Sequence, residues 1–167
     1  MTVDDVCAEA GLSKGAFYSH FDSKRALLEA LVDDDASAVT AAMDRLEARD
    51  LDGPQRLRQL TQMMVARAAD PARVQIRADL WAAVLTEPEI RQRVNGTVDG
   101  QRRVIRRWVE EAIASGEIID LPANALASVL LGLNDGLMLH RAVDDGGFRW
   151  ANISRVLDAL LTGIATR

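Results

Sequence analysis

Lys14, Tyr18, His20 and Lys24 crowd into one short stretch near the start of the chain. An ammonium and a phenolic hydroxyl are ordinary donors to phosphate oxygens, whereas an isolated surface imidazole would mean nothing without its surroundings. Gly15 and Ala16 lie among them and are the smallest side chains available. They let a backbone approach a groove closely and offer at most a methyl or backbone contact to a base edge. Ser13 and Ser19 complete a small polar surface. Nothing in the chain matches the equipment of an enzyme, because there is no glycine-rich phosphate loop, no nucleophile elbow and no cluster of histidines or carboxylates at catalytic spacing. A single cysteine, Cys7, excludes an internal disulfide and a zinc site of several thiolates, and its surroundings suit a small core hydrophobe. His140 and Asp144 have i, i+4 spacing, which reads as a hydrogen-bonded pair near a helix end rather than as metal ligands. No metal and no cofactor is expected.

Presenting that surface requires two short helices and a tight turn. Thr2 can cap a helix running to Ala10, with Val3, Val6, Cys7 and Ala10 on its inner face. Gly11 permits a sharp turn, and Ser13 caps a second, very short helix to about His20. On that second helix Phe17 and Phe21, four apart, face inward against Val6 and Leu12. This is a helix-turn-helix, whose second helix can enter the DNA major groove. Between Ser13 and Arg25 the bases Lys14, Lys24 and Arg25 outnumber the single acid Asp22, within a chain of net charge −5. Asp4 and Asp5 suit a helix N-terminus but sit near where phosphates would lie.

The segment GLSKGAFYSHFDSKRALLEAL resembles the recognition-helix signature of the TetR family of transcriptional regulators, with its Tyr-x-His-Phe core and the Ser-Lys that opens the next helix. The resemblance implies an all-α, ligand-responsive regulator, a repressor, that binds operator DNA as a homodimer. It places Lys14, Gly15, Ala16 and Ser19 toward base edges, and Thr2, Tyr18, His20 and Lys24 toward phosphates, with Ser13 opening the same surface. It divides the chain into a head, residues 1–32, and a ligand-binding and dimerisation body, residues 33–167. The family carries another helix ahead of the one starting at Thr2, so about eight helices are expected where the family has nine. A head without that first helix is expected to bind DNA weakly. The alternative is a regulator-like protein that binds a ligand or partner and no longer binds DNA. The stretch from Trp81 through Gly146 resembles a BetI-type effector domain.

The body is punctuated for helices throughout. Pro54, Pro71, Pro88 and Pro122 sit where helices begin, and Asp70, Thr86 and Asp120 are candidate caps for the last three, Thr86 with Glu89 at capping-box spacing. Gly11, Gly53, Gly116 and the pair Gly146-Gly147 read as stops. Leu27, Leu31, Ala38, Ala42 and Leu46 stripe one long helix, and Leu57, Leu60, Met64 and Ala68 the next. Ile76, Leu80 and Val84 stripe a third, and Ile90, Val94, Val98, Ile105, Trp108 and Ala112 a fourth, whose interior Gly96 and Gly100 predict a weak or bent stretch. Arg102, Arg103, Arg106 and Arg107 read as a solvated, salt-bridged face.

Met63, Met64, Trp81, Trp108 and Leu137, with the polar Asn134 beside Asp135, are the candidate lining of a pocket for a small apolar effector; the same residues could equally fill a core. The segments 122–144 and 150–165 are apolar on more than one face, which predicts a two-helix dimerisation unit carrying Leu130, Leu137, Ile153, Leu157, Leu160 and Ile164. No apolar run approaches a membrane span and no leader segment opens the chain, so a soluble, cytoplasmic protein is expected.

Overall fold

The computed structural model describes residues 2–144 and 149–166, without the side chains of residues 71–75. Among them the chain forms eight helices: α1 (Val3–Ala10), α2 (Lys14–Tyr18), α3 (Lys24–Glu47), α4 (Gly53–Ala68), α5 (Pro71–Thr86), α6 (Pro88–Ala114), α7 (Ala123–Val143) and α8 (Trp150–Ile164). The all-α class and the helix order match the reading of the sequence. The expected stop at Gly146-Gly147 lies outside the described residues. The expected division after residue 32 falls inside α3, which passes unbroken from the head into the body.

Side-chain caps start the first four helices. The hydroxyls of Thr2, Ser13 and Ser23 accept from the backbone N–H groups of Asp5, Ala16 and Ala26, and the Asp52 carboxylate accepts from Gln55 at 2.7 Å. Two caps read from the sequence are absent. Thr86 ends α5, donating its hydroxyl to the carbonyls of Ala82 and Ala83, and Glu87, the N-cap residue of α6, makes no side-chain cap. Asp120 caps nothing in α7, because Pro122 itself is the N-cap residue. Gly53 is a start rather than a stop: it opens α4 against α6, where a Cβ would overlap the Ala112 methyl and the Glu117 carboxylate. Its N–H donates to Glu117 Oε2 at 2.7 Å, so the start of α4 is tied through the Glu117 carboxylate to the turn that follows α6.

Two apolar cores result. The larger gathers Met43 and Leu46 of α3, Leu57, Leu60 and Met64 of α4, and Ile105, Trp108, Val109 and Ala112 of α6. Ala127 and Leu130 of α7 and Leu161 of α8 close it. The smaller joins Leu28 and Val32 of α3 to Leu80, Ala83 and Val84 of α5 and Ile90 of α6. The buried line of α3 is therefore Leu28, Val32, Met43 and Leu46, displaced by about one residue from the expected Leu27–Leu31–Ala38–Ala42 stripe over most of its length. The helix serves two cores in different directions, and no single stripe satisfies both.

α6 continues through Gly96 and Gly100 without interruption. A Cβ at Gly96 meets open space, and at Gly100 only the end of Arg103. Alanine at either position is expected to raise stability by about 0.5–1 kcal/mol, read from the urea midpoint. A lowered midpoint would show that this turn of the helix depends on glycine.

Candidate nucleic-acid interface and interior cavity

The head is built from the turn outward. Gly11 has φ of +64°, its N–H donates to Ala8 and that of Leu12 to Cys7, closing α1 with a left-handed cap. α1 and α2 pack on one another around the buried Cys7 and Phe17. Phe17 meets Phe21 and, edge-on, Tyr18, with ring centroids 5.7 and 5.3 Å apart. Leu12 departs from expectation: it is 51% exposed instead of covering the phenylalanines, and Val3, Val6 and Phe21 are only half-buried.

Seven of the nine expected DNA-reading residues, Thr2, Ser13, Lys14, Gly15, Tyr18, Ser19 and His20, are exposed, while Ala16 and Lys24 are half-buried. Three of their hydroxyls already have local work. Thr2 and Ser13 are caps, and Ser19 donates to the Ala16 carbonyl at 2.7 Å. The Tyr18 hydroxyl makes no hydrogen bond among the described residues and is open to an outside acceptor. Lys14 Nζ lies 2.7 Å from Asp4 Oδ1, and that carboxylate holds the ammonium above its usual range. The Thr2 backbone N–H, then its hydroxyl, hold the Asp5 carboxyl below its usual range, with Lys24 among the smaller contributors. Folding thus returns Asp4 and Asp5 to the side of Lys14 and Lys24. Over residues 1–31 five carboxylates (Asp4, Asp5, Glu9, Asp22, Glu29) face three cations (Lys14, Lys24, Arg25), so the positive patch read from Ser13 to Arg25 is partly neutralised.

A cavity of about 290 Å³ opens where the two cores meet, walled by α3, α4, α5, α6 and α7. Its apolar wall includes Leu28, Val32, Val39, Met64, Leu80 and Met138. Its polar end is an ion-pair ladder that local sequence spacing could not reveal. Arg67 and Arg77 both pair with Asp35, and Arg77 Nη2 reaches Asp135 Oδ1 at 2.7 Å. Of the residues expected here, Met63, Met64 and Asn134 line the cavity. Trp81, Trp108 and Leu137 are not in its wall: Trp81 packs against the smaller core, and Trp108 is wholly buried in the larger one beneath the Arg56 guanidinium. The bulk of Trp108 fills space between the helices of the larger core.

The expected dimer residues divide in the same way. Leu130 and Leu157 are enclosed by the chain's own helices, Leu137, Ile153 and Ile164 are half-buried, and Leu160 is 63% exposed. Val129, Val143 and Val156 are further exposed apolar side chains on the same two helices. On α6, Arg102 pairs with Asp99, Arg106 with Glu110 and Arg107 with Glu47. Among the described residues no three side chains form a group that could hold a metal ion, and no helix is long and apolar enough to cross a membrane.

A capped helix-turn-helix joined by one continuous helix to a hollow helical body defines a DNA-binding regulator with an interior chamber. Residues 1–31 match the model of the bacterial regulatory proteins of the tetR family, and residues 54–166 match that of the BetI-type transcriptional repressor C-terminal domain. The chain belongs to the TetR family of transcriptional regulators, with a BetI-type C-terminal domain. It is 26% identical over 140 residues to the nucleoid occlusion factor SlmA of Vibrio vulnificus, covering 81% of this chain and 70% of that protein. A TetR-family regulator from Agrobacterium tumefaciens shares the fold at a TM-score of 0.83 and 21% identity, over 99% of this chain and 87% of that one. A Saccharomonospora viridis protein in complex with choline shares it at a TM-score of 0.81 and 21% identity, over 98% and 86% of the two chains.

Proposed function

We propose that this TetR-family regulator is a ligand-responsive repressor in the cytoplasm. It reads operator DNA as a homodimer through the head, residues 1–32, and binds a small effector in the body, residues 33–167. The observation that carries the reading is the continuity of α3. Its first residue is Lys24, beside the DNA-reading surface, and Leu28, Leu31, Val32, Asp35 and Val39 of the same helix wall the cavity. A ligand shifts a regulator only if it prefers one arrangement of the heads over the other, and a helix shared by both sites supplies that link. Two heads must be held about 34 Å apart to meet successive major grooves.

Salt-dependent binding of the chain to its own promoter region tests the DNA-binding half. Binding should weaken steeply with salt, and Lys24→Ala should flatten the logarithmic slope by about 1. Lys14→Ala should flatten it by less, because Asp4 already occupies that ammonium, whereas Asp4→Asn should tighten binding and steepen the slope. A second reading, a regulator-like protein that binds a ligand or partner without DNA, is favoured by the excess of carboxylates in the head. A slope near zero for the unaltered chain and for Asp4→Asn alike would establish it.

A further inference from the structure

The polar end of the cavity is unevenly satisfied. Arg77 is fully engaged: Nε and Nη2 donate to Asp135 Oδ1 at 3.2 and 2.7 Å, and Nη1 to Asp35 Oδ2 at 3.4 Å. Arg67 holds the other oxygen of Asp35. Both bonds that Asp135 receives fall on Oδ1, which leaves its Oδ2 without a partner among the described residues. On the preceding residue, Asn134 Oδ1 is buried and accepts no hydrogen bond. Both residues line the cavity, and a buried vacant acceptor such as Asn134 Oδ1 is costly unless a donor arrives. Among the described lining residues the carboxylates of Asp34, Asp35, Asp70 and Asp135 outnumber the guanidiniums of Arg67 and Arg77, and no lysine lines the wall. A carboxylate ligand would have to displace an aspartate from an arginine; a cation displaces nothing.

Resting on the reading of this cavity as the effector site, we infer that its ligand is a protonated primary or secondary amine on an apolar body. The N–H groups satisfy Asp135 Oδ2 and, after rotation of its amide, Asn134, while the chain or ring lies along Leu28, Val32, Met64, Leu80 and Met138. The volume of about 290 Å³ accommodates on the order of ten non-hydrogen atoms at roughly 30 Å³ each. A quaternary ammonium has the charge but no N–H. It cannot make these bonds, which separates charge from hydrogen bonding as the source of selectivity.

Calorimetric titration of the full chain with n-octylamine, trimethyloctylammonium, n-octanol and octanoate, all below micelle formation, tests this without requiring DNA. The amine should bind at least tenfold more tightly than each of the other three. Asp135→Asn should remove that preference, and Asn134→Leu should reduce it in part. Equal binding of amine and trimethyl compound overturns the donor requirement, and preference for octanoate or octanol overturns the amine assignment. In each of those cases the cavity remains a ligand site. Failure of all four to bind overturns the effector-site reading itself. The head-group series uses the unaltered protein, so the result stands even if a variant fails to fold.

Discussion

Trp108→Ala is expected to lower the unfolding free energy by about 3–5 kcal/mol, seen as a large fall in the urea midpoint. Trp108 is 0% exposed and lies in the larger core with residues from α3, α4, α6, α7 and α8. Truncation would leave a cavity bordered by elements fixed on every side, with little room to collapse into it. Its indole Nε1 has no hydrogen-bond partner, so part of the tryptophan's burial is offset by an unmet donor. Trp108→Phe removes that donor together with some volume and should cost far less than alanine. An alanine variant within about 1 kcal/mol of the parent would contradict this packing role and reopen a ligand-facing role for the residue.

Leu160→Arg is expected to convert a dimer into a folded monomer, raising the dissociation constant by at least about 100-fold. α8 lies against α4 on one side, where Leu157 and Leu161 are buried and Arg58 reaches Asp158 at 2.5 Å. Its other side presents Val156 and Leu160, 58% and 63% exposed. An arginine at 160 breaks no contact of its own core, so helical circular dichroism should be retained while the sedimentation mass halves. Leu157→Arg is the contrasting variant: it puts a charge into the protomer's own core and should unfold the chain. An unaltered protein that sediments as a single chain would refute the dimer.

What the sequence disclosed was what short-range chemistry controls. Ser13 caps α2 and Thr2 caps α1 because a hydroxyl three residues from an unpaired N–H is a local relation. Leu57, Leu60, Met64 and Ala68 line up because α4 buries one side only. The stripe of α3 was misplaced because that helix meets two cores. The ladder at the cavity was invisible for a different reason: Arg67 and Asp35 are 32 positions apart, and Arg77 and Asp135 are 58 apart. No spacing rule reaches so far. Its one local trace was Asn134-Asp135, a polar pair inside an otherwise apolar helix. The aromatic residues misled in the opposite sense, since Trp81 and Trp108 have the size that suits a ligand wall and the same size suits a core.

The unbroken length of α3 also has a mechanical meaning. Asp35 grips two arginines at the cavity, and Lys24 stands eleven residues earlier, ~16 Å along the axis at 1.5 Å per residue. A tilt of about 5° about Asp35 therefore sweeps Lys24 through ~1.5 Å, half the length of a hydrogen bond. In a symmetric pair the two sweeps add to ~3 Å against a groove spacing of ~34 Å that DNA does not adjust freely. On the proposed reading the helix would work as a lever with its short arm in the chamber, and a displacement too small to open the body would put both heads out of register.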